Sequence, residues 1–487
     1  MEPEEIFFLS VRELSAMIRA RRLSPVELAE AYLSRLERYG KRLGAVATVM
    51  RESGMREARA AEREIRAGRY RGALHGIPYG AKDLLATREA PTTWGATPYK
   101  DQRFDFDATV IRRLREAGAV LVAKLSMIEL AGGMGYNQAH ASWTGACLTP
   151  WNTDFWSGGS SSGPGSAVAA GLVAFAIGSE TSGSIITPSA FCGVSGFRPT
   201  YGAISRHGAM ALCWTLDKLG PMCRTAEDCQ LVMQAIAGED PLDPTSQPAS
   251  KLVTPAAFFN RAAEASSRTR RGARIEPRRQ LRIGVMKDSY EKAQPEVREN
   301  FLRSLDVLKR LGRVEMDVKL PDFPYGQAVG TIVDAEGASA FRDLIESGRV
   351  RELASPEGRV GGFAASLVTA VDYLHAMRLR VPMRRAWREM FQKIDILVAP
   401  SRATVSYPID KTFDQAYPGI NASSPIGASN LVGVPAISIP NGLGENFLPT
   451  GIQLVGPAWS DYAVIDLAAR FQQATDWHKR RPELAET

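Results

Sequence analysis

Between Ser157 and Arg198, two Gly/Ser-rich turns stand at either end of one apolar run. The first turn opens at Ser157-Gly-Gly-Ser-Ser-Ser-Gly163 and the second is Gly178-Ser-Glu-Thr-Ser-Gly-Ser184. A flexible Gly/Ser linker is polar throughout and carries no long apolar block. Here Ala167–Gly178 is almost purely apolar, so the segment reads as core with the turns held at its two ends. Glycine permits backbone shapes and close approaches that other residues do not. Serines in such turns can become nucleophiles, and successive backbone N–H groups in them can hold an anion.

A serine hydroxyl is a weak nucleophile at neutral pH and needs a base. The chain has five histidines, His75, His140, His207, His375 and His478, none in an obvious nucleophile-elbow context. A Ser-His-Asp set does not require neighbours in sequence, so it stays open as an alternative. His478 lies in a charged C-terminal segment that reads as a solvated helix end. The S-x-x-K spelling at Ser289–Lys292 sits in a polar stretch and reads as chance. A better helper is Lys82, in His75-Gly-Ile-Pro-Tyr-Gly-Ala-Lys82-Asp83, after a strand-like run. Burial depresses a lysine pKa by disfavouring the charged form, and a neutral lysine is a usable base. On local sequence alone, a surface lysine paired with Asp83 is the plainer reading.

With these segments side by side, the chain resembles the amidase signature hydrolases. Gly76–Asp83 matches that family's lysine motif, and Gly158–Gly163 its first Gly/Ser motif. Gly178–Ile186 matches the second, and Ala190–Gly202 the block that follows. Near the C-terminus the runs starting at Asn430, Gly451 and Ala474 match as well, so the resemblance extends from about Leu9 to Pro482. It implies Ser184 as nucleophile, Ser160 as a bridging serine beside a cis peptide bond, and Lys82 as base. It also implies an oxyanion hole from Thr181, Ser182, Gly183 and Ser184. Substrate would be bound by Gly132, Gly133, Met134 and Tyr136, with further pocket walls from 131–143, 322–332 and 363–373. Met134, Tyr136, Trp143, Phe323 and Tyr325 read equally as an aromatic pocket or as ordinary core. Five departures stand out. Ser162 and Pro164 replace glycine and serine in the first turn, and Ser182 replaces a glycine in the second. Glu180 replaces the commoner aspartate. Ile186 stands in place of an arginine, which reads as the loss of a polar anchor for charged substrates.

The resemblance implies one α/β domain spanning 1–487, a mixed and mostly parallel sheet with helices on both faces. Residues 1–70 read as N-terminal helices packed on it. Val11–Arg38 has helical periodicity, with Ser24-Pro25 opening a second helix through a cap and a first-turn proline. Met55–Ala67 reads as a charged helix. Ile77–Gly80, Val110–Ala117, Val120–Ala123, Ala167–Leu172 and Ala174–Gly178 read as alternating strands and helices. Residues 244–280 read as a basic connection. Eight arginines against two glutamates over 261–282 supply nearly all of the net +7 charge. Without interleaved aromatics this is no nucleic-acid face.

Hydrophobic residues make up 45 % of the chain, enough for a large core. The acidic start Met-Glu-Pro-Glu-Glu is unlike a signal peptide, and the longest apolar run is too short for a membrane span. Cys147, Cys192, Cys213, Cys223 and Cys229, an odd number and widely spaced, suggest free thiols and a cytoplasmic protein. Cys192 reads as core packing. With no H-E-x-x-H and no C-x-x-C, the expectation is no metal and no cofactor. The expected function is a Ser-Ser-Lys hydrolase of neutral, hydrophobic or aryl carboxamides, with carbamates and esters as further substrates. It would act as a monomer or homodimer on a small molecule, without nucleic acid or membrane. The alternative is the A-type glutaminase component of a tRNA-dependent amidotransferase.

Overall fold

The computed structural model describes residues 4–258 and 280–484. Eleven strands form one sheet. In chain order they are β1 (Val46–Val49), β2 (Pro78–Lys82), β3 (Val120–Leu125), β4 (Phe175–Glu180), β5 (Ser195–Arg198) and β6 (Lys218–Cys223). There follow β7 (Arg282–Met286), β8 (Arg313–Val318), β9 (Ile396–Pro400), β10 (Ala436–Leu443) and β11 (Pro449–Val455). The spatial order is β1-β3-β2-β4-β6-β5-β10-β11-β9-β7-β8. The sheet is mixed, but six of its ten pairings are antiparallel, so it is not mostly parallel. The reason is visible at β10–β11, joined through the short turn Glu445–Phe447. A link that short can only return the chain antiparallel, because parallel neighbours need a long crossover.

Alternate residues of the central strands enter two different cores. Tyr79 and Ala81 of β2, Leu121 of β3, and Phe175 and Ile177 of β4 belong to one. Val120 and Val122 of β3 and Ala176 of β4 belong to the other. This period of two gives each face of the sheet its own apolar layer, and helices cover both. The second core includes Leu33 and Leu36 from the helix Pro25–Tyr39, and Ala167 and Val168 from the helix Ser162–Ala169. The Ser24 hydroxyl caps the first of these by accepting from the N–H groups of Val26 and Glu27.

Most sequence-derived elements lie where expected. Val11–Arg19 and Arg51–Arg66 are helices, and Val110–Ala117 falls on the helix Thr109–Glu116. Ala167–Leu172 is the end of a helix and the turn after it. The first 70 residues are not helices alone, since β1 pairs with β3 at the sheet edge. Of the basic connection, 244–258 is described and includes the short turn Ala249–Lys251; Arg261 to Arg279 lie outside the described residues. No single helix among the described residues is long and apolar enough to cross a membrane. All five cysteines are free and buried, and the Cys192 thiol donates to the Ser157 carbonyl.

Candidate active site

Lys82 is the last residue of β2, whose five residues are all buried. Successive strand side chains point to opposite faces. Lys82 and Asp83 therefore part company: Asp83 pairs with Lys124 at 3.0 Å, and the surface Lys82–Asp83 pair does not exist. Lys82 is fully buried instead. Its Nζ lies 2.8 Å from Ser160 Oγ, 3.0 Å from Ser161 Oγ and 2.8 Å from Ser179 Oγ. Burial pulls its pKa down to about 7, against the opposing pull of the Asp217 and Glu180 carboxylates.

The first Gly/Ser turn brings Ser160 to this amine. The Gly159–Ser160 peptide bond is cis. Gly158 has φ +84°, and a Cβ there would stand 2.7 Å from Pro188 Cα, so only glycine fits. The second turn leaves the end of β4 and enters the helix Ile186–Cys192. The Ser161 N–H donates to the Ser184 carbonyl at 3.2 Å, which locks the two turns together. Ser184 is half-buried and Ser182 exposed. Gly183 has φ +101°, whereas Ser182 lies outside the left-handed region, so a side chain is tolerated at 182.

Glu180 anchors the far end of this turn. Its Oε2 accepts the N–H groups of Ile185 and Ile186 at 2.8 and 2.9 Å. Its Oε1 accepts from Arg198 Nη1 at 3.0 Å and Asn430 Nδ2 at 2.7 Å. Burial alone would raise this carboxyl, but the Arg198 guanidinium and three hydrogen-bond donors hold it below the usual carboxylate range. All four partners are donors, so an amide in place of the carboxylate would meet N–H with N–H. Glu180→Gln is expected to destabilise the fold by about 3–5 kcal/mol, the cost of breaking a buried ion pair from one side. Urea-denaturation midpoints would measure this, and an unchanged midpoint would refute it.

Ile186, expected beside the substrate, is fully buried in the larger core. It sits behind the second Gly/Ser turn, so its apolar character says nothing about substrate charge. A cavity of about 190 Å³ opens beside the turn, lined among others by Ser179, Thr181, Leu84, Met210, Leu212, Trp214, Asp217 and Leu219. Of the glycine-rich segment expected to bind substrate, Ala131 lines this cavity. Gly133 lies one layer behind, where a Cβ would meet Leu212 Cδ1 at 2.2 Å, and Gly132 packs on the Tyr136 ring. Met134 is buried against the helix Gly358–Ala365. Tyr136 faces Trp156 and Phe413 in a separate aromatic cluster. Tyr325 hydrogen-bonds Trp387 and Trp143 hydrogen-bonds Thr93, both as packing residues. Phe323 packs against Tyr325, away from the cavity, and Phe363 is exposed. His207 lines the cavity, whereas His478 is half-buried near the C-terminus, its pKa pushed down to about 4 chiefly by burial.

Sequence reasoning missed Ser161, Ser179, Asp217, Arg198 and Asn430. Ser179 reaches the site through sheet pairing, β4 running parallel to β2 with Ala81 opposite Ile177, which carries Ser179 level with the end of β2. Asp217 and Asn430 had no signal, since the residue before β6 and the distant helix Ile426–Val432 bring them in.

The description "Amidase" fits residues 27–465 of this chain. The chain belongs to the amidase family, and with it to the hydrolases of C–N bonds. Among curated proteins, the A-type component of the glutamyl-tRNA(Gln) amidotransferase of Moorella thermoacetica is 35 % identical over 506 residues, covering 99 % of both chains. Its counterpart from Aromatoleum aromaticum is 35 % identical over 98 % of this chain and 99 % of its own. Among solved structures, the peptide amidase of Stenotrophomonas maltophilia superposes with a TM-score of 0.81 at 29 % identity, covering 98 % and 99 % of the two chains. The A-type amidotransferase component of Thermotoga maritima gives 0.76 at 26 % identity, covering 99 % of each.

Proposed function

We propose that the chain cleaves carboxamides through an acyl-enzyme on Ser184, with Ser160 and Lys82 as a proton relay. The observation that carries this is Lys82 Nζ, buried and 2.8 Å from Ser160 Oγ, on a turn tied to that of Ser184. Neutral Lys82 accepts a proton from Ser160, and Ser160 takes one from Ser184. The Ser184 oxygen attacks the acyl carbon. The N–H groups of Thr181, Ser182, Gly183 and Ser184 stabilise the oxyanion, where loss of one such donor typically costs about 2.7–4 kcal/mol of barrier. The relay returns the proton to the departing nitrogen, and water then hydrolyses the ester.

For the substrate, we read the chain as the glutamine-hydrolysing, A-type component of a tRNA-dependent amidotransferase. Its support is end-to-end likeness to curated proteins of that name at 35 % identity. A second reading, a partner-free hydrolase of neutral amides, aryl carbamates or esters, is favoured by the apolar residues lining the cavity and by the likeness to a peptide amidase. Neutral groups gain roughly 25 cal/mol for each Å² of apolar surface buried there. Ammonia release from glutamine, by the chain alone and with the other components of such an assembly, separates the two when set beside kcat/KM for an anilide and an aryl carbamate. We expect glutamine turnover that rises when the partner proteins are added. Faster cleavage of the neutral anilide by the chain alone would overturn the amidotransferase assignment in favour of the second reading.

A further inference from the structure

The oxyanion turn is short, and its middle is held through the backbone alone, the Gly183 carbonyl accepting from the Thr187 N–H at 2.8 Å. Ser182 points to solvent and Gly183 has no side chain. The far end is fixed by Glu180 through the N–H groups of Ile185 and Ile186. At the near end, the Thr181 hydroxyl donates to Asp217 Oδ1 at 2.6 Å. The other oxygen of that carboxylate, Oδ2, accepts the N–H groups of Leu212 and Cys213 at 2.9 and 2.8 Å. Leu212 and Asp217 both line the cavity beside the turn. One carboxylate thus joins the start of the turn to the wall of the cavity.

We propose that Asp217 is a positioning residue for acyl transfer, fixing the Thr181 end of the oxyanion turn to the cavity loop so that the turn's N–H groups stay aimed at the reacting oxygen. This rests on Ser184 being the nucleophile. A hydrogen bond to a carboxylate is about twice as strong as one between neutral groups. Its geometry leaves the Thr181 backbone with one orientation relative to β6, since Asp217 immediately precedes that strand. A transition state whose charge grows on the oxygen is sensitive to donor placement, while substrate binding is much less so. The signature of this role is therefore a loss in the rate of the chemical step with binding preserved.

The test uses an alkyl fluorophosphonate on the full-length chain, read as the limiting rate of inactivation and the apparent binding constant. In that reaction the Ser184 O–P bond forms, the P–F bond breaks with loss of fluoride, and the relay takes the hydroxyl proton. The phosphoryl oxygen stands where the oxyanion would. Thr181→Val and Asp217→Asn are each expected to slow the limiting rate 10-fold or more, with binding changed less than 3-fold. Thr181→Ser keeps the hydroxyl that donates to Asp217 and should recover most of the limiting rate lost in Thr181→Val. The double variant should be no slower than the slower single one, because both remove the same link. Multiplicative losses, or a Thr181→Val protein labelled at the wild-type rate, would overturn the proposal. Should Asp217→Asn fail to fold, Thr181→Val against Thr181→Ser decides alone. A wild-type protein that is not labelled at Ser184 would instead sink the nucleophile assignment.

Discussion

Ser184→Ala is expected to reduce amide hydrolysis by about four orders of magnitude or more while leaving the fold intact. The size follows from covalent catalysis: without the hydroxyl there is no acyl-enzyme, and only binding and the oxyanion donors remain. Intact folding follows from the local structure. Ser184 is half-buried, and the bond that ties it to the first turn uses its backbone carbonyl, which alanine keeps. Stability should shift by no more than about 0.5 kcal/mol, as for substitutions away from buried networks. Turnover of the best substrate, with circular dichroism and the thermal midpoint as controls, measures both. A fluorophosphonate adduct mapped by mass spectrometry should move from the Ser184 peptide in wild type to nowhere in the variant. Turnover near the wild-type level would place the nucleophile elsewhere.

How much of this was legible in the sequence depends on how local each feature is. The helix from Pro25 could be read because its start signal, a serine cap followed by proline, lies within two residues. The two serine turns could be read because glycine and serine crowd into them around an apolar run. Burial of Lys82 could not be read locally, and neither could its separation from Asp83. Both depend on a strand having neighbours on each side, here β3 and β4. Ile186 misled for a related reason. Its position two residues after Ser184 suggests a place beside the substrate, but the helix that starts there turns its side chain into the core. The pocket walls were the least legible part. Met134 and Tyr136 carry the same apolar signal whether they face a cavity or a core, and the structure puts Met134 in the core and half-buried Tyr136 against an aromatic cluster. Pairing direction in the sheet was equally hidden, because β5 must find β10 across more than 200 residues.

Lys82 should be as indispensable as Ser184, and its pH dependence should report the relay. Lys82→Ala is expected to lower hydrolysis by several orders of magnitude, since removing one member of a set that acts as a unit costs nearly as much as removing all. Lys82→Arg should not restore activity, because a guanidinium cannot give up its proton in a protein and cannot start the relay. In wild type the base must be neutral. With the Lys82 pKa pulled down to about 7 by burial, kcat/KM should rise with pH, pass its half-point near 7 and then level off. The same shift has a consequence for stability, and its sign can be fixed. The pKa in the folded chain lies below the ordinary lysine value, so the folded state is the poorer proton binder. The cost of burying Lys82 is fully present below pH 7, shrinks as pH rises, and vanishes above about 10.4, the value for an unperturbed lysine. Lys82→Met, which removes the charge and keeps most of the volume, should therefore gain most over wild type at low pH and least near pH 10. It should be inactive throughout. Thermal midpoints of the two proteins at pH 6, 8 and 10 check the trend, and a difference that does not change with pH would contradict it. Substantial activity in Lys82→Arg would show that the residue serves only as a positive charge, and the neutral base would have to be sought elsewhere.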